Sequence, residues 1–305
     1  MSRVRIGIDL GGTKTEIAAL SADGEVLLRR REPTARGDYR GAIAALGRMV
    51  RELEADLGVA GTVGVATPGA VSRLTGRMKN ANSTWLNDRP LQQDLERELA
   101  RPVRISNDAN CFALSEAVDG AARGARVVFG VILGTGVGAG IVVDGKVLEG
   151  PNGIAGEWGH NPLPLPCVAD TPLRACYCGR SGCIERYLSG PAWMAEYVAE
   201  HGIELNCAEI VAQADSGVCQ IAGASLDRYL DRLARALAGV VNLLDPDVIV
   251  LGGGLSNISC LYEQIPERWG RYVFSDSILT RLVPPLYGDS SGVRGAAWLW
   301  NGVDG

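Results

Sequence analysis

The sequence has no excess of positive charge and no basic stripe: 30 Lys and Arg stand against 35 Asp and Glu, a net charge of −5. That balance argues against nucleic acid or a membrane surface as a partner. Long apolar runs are also missing. Those present, such as Val127–Leu133, are far too short to cross a bilayer. The first apolar strand reaches Asp9 at once, so no signal peptide is expected. No low-complexity segment or long linker divides the chain, and the Walker A pattern G-x-x-x-x-G-K-[ST] is absent. What remains is an ordinary globular composition, 47% apolar and 21% charged over 305 residues, long enough for two domains and a large core. Eight cysteines with no secretory signal point to reduced thiols and a cytoplasmic protein.

Three of those cysteines belong to one stretch. Gly156-Glu157-Trp158-Gly159-His160 is followed, fifteen residues later, by Cys176-Tyr177-Cys178-Gly179-Arg180-Ser181-Gly182-Cys183-Ile184-Glu185. His160, Cys176, Cys178 and Cys183 make the Cys₃His set that Zn²⁺ prefers, and four protein ligands leave no open position, so the metal is expected to be structural. Gly179 and Gly182 allow the tight fold that brings the thiols together. Cys111, Cys167, Cys207, Cys219 and Cys260 lack ligand spacing and read as buried or inert thiols. The knot is flanked by Glu157 and Glu185, which it does not need as ligands; the metal is read as placing those carboxylates.

Alternation predicts strands at Val4–Asp9, Lys14–Leu20 and Glu25–Arg31, with glycine turns between them. Asp38 reads as the N-cap of a helix with Ile43, Leu46, Val50, Leu53 and Leu57 on one face. The pattern of the first thirty residues returns at 127–148, so the chain reads as duplicated. Between the copies lie the asparagine-rich segment Lys79–Asn87, with an exposed-looking Trp85, and Val103–Ser106 leading into Asn107-Asp108-Ala109-Asn110. Asp108 reads either as a plain helix cap or as a catalytic carboxylate at the carboxyl end of a strand. Later come a long apolar helix from Leu226 to Leu244, stopped by Asp245-Pro246, and a closing helix at Gly292–Trp300.

Three glycine clusters each follow a strand: Gly11-Gly12-Thr13-Lys14, Gly134-Thr135-Gly136 and Gly252-Gly253-Gly254. Such turns let backbone N–H groups close on phosphate oxygens. The G-x-G-x-x-A pattern at Gly134, Gly136 and Ala139 fails as a dinucleotide fingerprint, because a strand follows it where a helix is required. Three clusters in a duplicated α/β chain point instead to a nucleotide cleft, with Asp9 placed to hold Mg²⁺ on the phosphates.

These motifs resemble the ROK family of sugar kinases, within the actin-like ATPase superfamily. Ile8–Lys14 is similar to its first phosphate motif, Asn107–Asn110 to its catalytic segment, Gly134–Gly136 to its second phosphate motif, and Gly252–Gly254 to its adenosine motif. Gly156–His160 with Cys176–Glu185 is similar to its sugar-and-zinc signature; only the spacer between His160 and Cys176 is longer than in many members. The resemblance implies a duplicated actin-like (ribonuclease H-like) α/β fold. A smaller domain would span 1–110, joined by a C-terminal helix at about 292–305, and a larger domain would span 111–291. It also implies ATP and Mg²⁺ as co-substrate and cofactor, a homodimer, and two domains that close over the substrate. Asp108 becomes the general base, while Asn107, Glu157, His160, Glu185 and Asn82 hold sugar hydroxyls. Lys79–Asn87 and His160–Pro164 look like those of bacterial fructokinases that also accept mannose, so fructose is the expected substrate. The alternatives are a glucokinase or N-acetylhexosamine kinase of the same family, a sugar-responsive transcription regulator, and a zinc-stabilised oxidoreductase. The regulator is disfavoured because only five residues precede Ile6 and no helix-turn-helix is expected; the oxidoreductase is disfavoured by the failed dinucleotide context.

Overall fold

The computed structural model describes residues 4–302. Its elements begin with β1 (Arg5–Leu10), β2 (Lys14–Leu20), β3 (Val26–Pro33), α1 (Tyr39–Leu57), β4 (Thr62–Thr67), β5 (Ala70–Val71), β6 (Met78–Lys79), α2 (Leu91–Leu99), β7 (Val103–Asn107) and α3 (Asp108–Val118). They continue with β8 (Val127–Leu133), β9 (Val137–Val143), β10 (Lys146–Val147), α4 (Glu185–Leu188), α5 (Gly190–His201), α6 (Cys207–Asp215) and α7 (Gln220–Leu244). The last are β11 (Val248–Gly252), α8 (Leu261–Trp269), β12 (Arg281–Val283) and α9 (Ser291–Trp298). The closing helix is thus shorter than the 292–305 expected, and positions 303–305 lie outside the described residues.

Two five-stranded sheets share one plan. The first has the order β3-β2-β1-β4-β7 and the second β10-β9-β8-β11-β12. In the first, β1 pairs antiparallel with β2 and parallel with β4. In the second, β11 lies parallel to both β8 and β12. This is the duplication read from the sequence, and it gives the mixed α/β two-sheet fold.

The chain forms two compact units. One comprises Met1–Gly124, Gly140–Gly156 and Leu286–Gly305, the other Ala125–Ala139 and Glu157–Pro285. The division expected at 110/111 places 111–124 and 140–156 in the second half, whereas here they group with the first. The reason is packing: α3 lies against α9 so closely that a Cβ on Gly295 would stand 1.7 Å from Cys111 O. A helix and its partner cannot be assigned to different bodies at that separation. Gly7 and Gly64 do the same for the sheet, since a Cβ on either would stand 1.9 Å from a carbonyl of α9, Val293 O and Ala296 O respectively. The chain passes from the second unit to the first within β9, between Ala139 and Gly140.

Local chemistry explains the elements. Asp38 caps α1, its carboxylate accepting from Gly41 N, and Gly58 ends the helix at φ 66°. Leu46, Met49, Val50 and Leu53 of α1 share one core with Ile6, Ile8, Ile17, Val63 and Val65 of the first sheet. Trp85 is half-buried against this core rather than exposed, because the three-residue turn Thr84–Leu86 rolls its ring inward. The long helix α7 buries the stripe expected of it and also two charged residues, Arg232 and Arg235.

Candidate active site and metal centre

In the first unit, the next-to-last residue of β1 is a half-buried carboxylate, Asp9, which pairs in register with Glu16 of β2. Asp9 is pushed up to about 7, first by burial and then by the charges of Asp108 and Glu16, with Arg31 opposing them. Carboxylates that hold one another's protons are relieved by a dication, and the set of Asp9 with Asp108 in its field suits Mg²⁺. The turn after β1 is fixed by Gly11 N–H donating to Lys14 O at 3.1 Å and by Thr34 Oγ1 donating to Gly11 O at 2.8 Å. Thr13 and Lys14 are exposed at its edge.

The two readings of Asp108 separate here. The cap of α3 is Asn107, whose Oδ1 accepts from Asn110 N at 2.8 Å. Asp108 is the first residue of the helix, one carboxylate oxygen accepting from its own neighbour Ala109 N at 2.8 Å. The helix does not need it as a cap, and the positive end of the helix dipole favours its ionised form. With one lone pair of its Oδ1 committed to the cap, Asn107 keeps its Nδ2 donors and the second lone pair for a sugar. The asparagine-rich segment also sorts itself. Asn87 accepts from Ala81 N at 2.9 Å and donates to Ala81 O at 3.0 Å, so it staples the loop. Asn80 turns it at φ 57°, and Asn82 is exposed.

In the second unit, three segments meet on one residue, Val137, at the start of β9. Its N–H donates to Glu185 Oε2 at 3.0 Å. Its carbonyl lies where a Cβ on Gly159 would stand, 2.0 Å away, so only glycine admits the helical turn Trp158–His160 here. Trp158 is buried edge-on against Phe129 of β8. The turn Gly134–Gly136 closes with Gly134 N–H donating to Gly136 O at 3.0 Å, and Gly190 N–H donates to Gly134 O at 2.9 Å. The third cluster joins the second: Gly253, at φ 79°, packs so that a Cβ would stand 2.4 Å from Leu133 O. Gly252 closes β11, and Gly254 opens the turn after it. The structure thus brings Gly134-Thr135-Gly136, Gly252-Gly253-Gly254, Glu157, His160 and Glu185 into one unit, and Asp9, Gly11–Lys14, Asn82, Asn107 and Asp108 into the other.

The knot has the donor atoms of a tetrahedral site. His160 Nδ1 is 3.7 Å from Cys176 Sγ, Cys178 Sγ is 3.6 Å from Cys183 Sγ, and all four donors lie within 4.8 Å of one another. Tetrahedral zinc with Zn–S of about 2.3 Å and Zn–N of about 2.0 Å sets its ligands roughly 3.5–3.8 Å apart, so the set fits. The Cys178 thiol is lowered to about 6, first by the Arg180 N–H and then by the Arg180 guanidinium, toward the thiolate form a metal requires. The turn is held by Cys176 N–H on Arg180 O and Gly179 N–H on Cys176 O. The other face of His160 is capped: Nε2 lies 3.1 Å from the Tyr177 hydroxyl.

The sequence reading missed a buried charge cluster beneath the knot. Arg232, 1% exposed, binds Asp170 Oδ1 at 2.7 Å and Glu196 Oε2 at 2.6 Å, while Arg235 binds Asp170 Oδ2 at 2.9 Å and Arg174 binds Glu196 Oε1 at 2.6 Å. Burial works against an ionised Asp170, but the Cys167 N–H and the two arginines outweigh it and hold the carboxyl down to about 2. Arg235 also donates to Pro164 O and Leu165 O. The long spacer between His160 and Cys176 is therefore tied to α7 by charge. Its one sequence signal was two arginines three apart on an otherwise apolar helical stripe.

No helix among the described residues is long and apolar enough to cross a membrane. The family model described as "ROK family" matches residues 5–303. An N-acetyl-D-glucosamine kinase of Yersinia pseudotuberculosis serotype IB (strain PB1/+) is 41% identical over 299 residues, 96% of this chain and 97% of that protein. A ROK hexokinase from Thermus thermophilus superposes with a TM-score of 0.86 at 30% identity, covering 98% of this chain and 97% of the other. A ROK family glucokinase from Streptomyces griseus, solved with glucose and AMPPNP, gives 0.74 at 26% identity, covering 96% and 98%. Together with the paired sheets, the glycine turns and the Cys₃His knot, this whole-length match makes the chain a member of the ROK family, and one of its ATP-dependent sugar kinases.

Proposed function

We propose that the protein transfers the γ-phosphoryl group of ATP to the 6-hydroxyl of an N-acetylated hexosamine, N-acetylglucosamine foremost. The observation that carries this reading is the 41% identity, over 96% of the chain, to a kinase named for that sugar. Fructose, expected from the Lys79–Asn87 and His160–Pro164 segments, gives way to it.

Asp108 takes the proton of the attacking hydroxyl, a role supported by its place at a helix N-terminus whose cap is the neighbouring Asn107. Gly11–Lys14 and Gly134–Gly136 receive the phosphates on their backbone N–H groups, and Gly252–Gly254 the adenosine. Asp9 holds Mg²⁺, which when bound neutralises charge on the phosphoryl oxygens. Glu157, Glu185, Asn107 and Asn82 hold the sugar, and His160 lines it through the Tyr177 hydroxyl that its Nε2 faces. Zinc on His160, Cys176, Cys178 and Cys183 supplies rigidity only, fixing His160 and Glu185 relative to Val137. Described cysteines that are all unpaired support a reducing, cytoplasmic setting, and the family likeness supports a homodimer.

The test is an ADP-release assay with N-acetylglucosamine, N-acetylmannosamine, glucose, mannose and fructose. N-acetylglucosamine should give the highest kcat/KM. A higher value for fructose would restore that sugar, and no turnover with any sugar would overturn the kinase reading itself.

A further inference from the structure

Tyr177 lies between two of the knot's thiols, and nothing in the motif requires a tyrosine there. Its ring is 80% exposed and meets the His160 ring edge-on at 5.2 Å. Its hydroxyl is 3.1 Å from His160 Nε2 and lies in the field of both Glu185 and Glu157. The phenol therefore lies against His160 and in the field of Glu185 and Glu157, the three side chains of this unit that are read as sugar-holding. The exposure is unusual for an aromatic ring so firmly placed: the turn that carries it is closed by Cys176 N–H donating to Arg180 O and Gly179 N–H donating to Cys176 O.

The direction of the hydrogen bond follows from the metal set. His160 turns Nδ1 toward Cys176 Sγ. With a metal on that nitrogen the imidazole is neutral and its one proton sits on Nε2. Nε2 then donates and the Tyr177 oxygen accepts, which points the phenol's own proton away from His160. A hydroxyl donor aimed outward beside an exposed aromatic face matches an acetamido group, whose carbonyl accepts a hydrogen bond and whose methyl packs on a ring.

We propose that Tyr177 is a substrate-contacting residue that selects the N-acetyl group, its hydroxyl donating to the acetamido carbonyl and its ring covering the methyl. This rests on the hexosamine reading above. A plain hexose has no such group and gains little from Tyr177.

The experiment compares wild type, Tyr177→Phe and Tyr177→Ala on N-acetylglucosamine and glucose. It also measures zinc per chain and equilibrium binding of each sugar without ATP. Tyr177→Phe should raise KM and Kd for N-acetylglucosamine about fivefold, and Tyr177→Ala at least tenfold. In both variants kcat should stay within twofold, the constants for glucose within threefold, and zinc at one per chain. Unchanged KM and Kd overturn the assignment while the hexosamine reading stands. Equal weakening of both sugars, or lost zinc, also overturns it, because Tyr177 would then act through His160 or the knot. If wild type turns over only another hexose, the hexosamine reading fails and the acetamido role falls with it. Contact alone is then tested on that hexose: a raised KM keeps Tyr177 in the sugar site, and an unchanged one removes it.

Discussion

Replacing Asp9 by asparagine should stabilise the protein and disable it at once. A carboxyl held at about 7 instead of its ordinary 3.8 carries about 4 kcal/mol of unfavourable ionisation, since one pH unit is worth about 1.4 kcal/mol. The penalty is absent below pH 3.8, where Asp9 is protonated folded or unfolded. It grows as pH rises from 3.8 to 7, because only the unfolded chain gives up its proton, and it stays in full above 7. Allowing half for relaxation around the site, Asp9→Asn should gain about 2 kcal/mol at pH 8 and about 0.8 kcal/mol at pH 5. At about 2–4 °C per kcal/mol, this is a rise in Tm of about 4–8 °C at pH 8. Differential scanning calorimetry in EDTA reads both values. Saturating Mg²⁺ should then stabilise the wild type and leave the variant unmoved, while turnover falls at least 100-fold. A Tm gain equal at pH 5 and pH 8, or a loss at pH 8, would refute the view of Asp9 as a carboxylate awaiting a cation.

Asp108→Asn should lower kcat by about 10²–10⁴ with little change in sugar KM, as measured by ADP release; a loss under tenfold would remove it as general base. Stripping zinc with a chelator should abolish sugar binding, followed by calorimetric titration, before the first unit unfolds; retained affinity would make the knot a distant staple. Gly159→Ala should lose about 3 kcal/mol in urea unfolding, since its methyl would meet Val137 O at 2.0 Å, and a neutral change would show that the turn slides freely. Arg232→Met leaves Asp170 and Glu196 short of a buried partner and should cost about 3 kcal/mol, restored in part by the further change Glu196→Gln.

What the sequence disclosed was what local rules govern. Strands and hairpins are written in period-two alternation and in turns such as Gly11–Thr13, and the metal ligands in the spacing of Cys176, Cys178 and Cys183. Helix α1 is written in Asp38 and the stripe from Ile43 to Leu57. What stayed hidden depends on partners far apart in the chain. Periodicity gave the buried face of α7 but not that Arg232 and Arg235 would find Asp170 there, more than sixty positions earlier. Asparagine and aspartate are comparable caps, so only coordinates could tell that Asn107 caps α3 and releases Asp108. The grouping of α3 with α9 rests on backbone contacts at glycines, a residue type whose contacts leave no pattern in a sequence.

Those contacts also bear on how the molecule is made. Gly7 and Gly64 wait, bare of side chains, for carbonyls of α9, a helix that leaves the ribosome only after the whole second unit. The second unit can complete its core during synthesis, whereas the first must hold an open face over β1, β4 and α3 until α9 has been made. A chain stalled or clipped before Ser291 would keep that face exposed, and should be bound by chaperones even though every motif it needs for ATP and sugar has already been made.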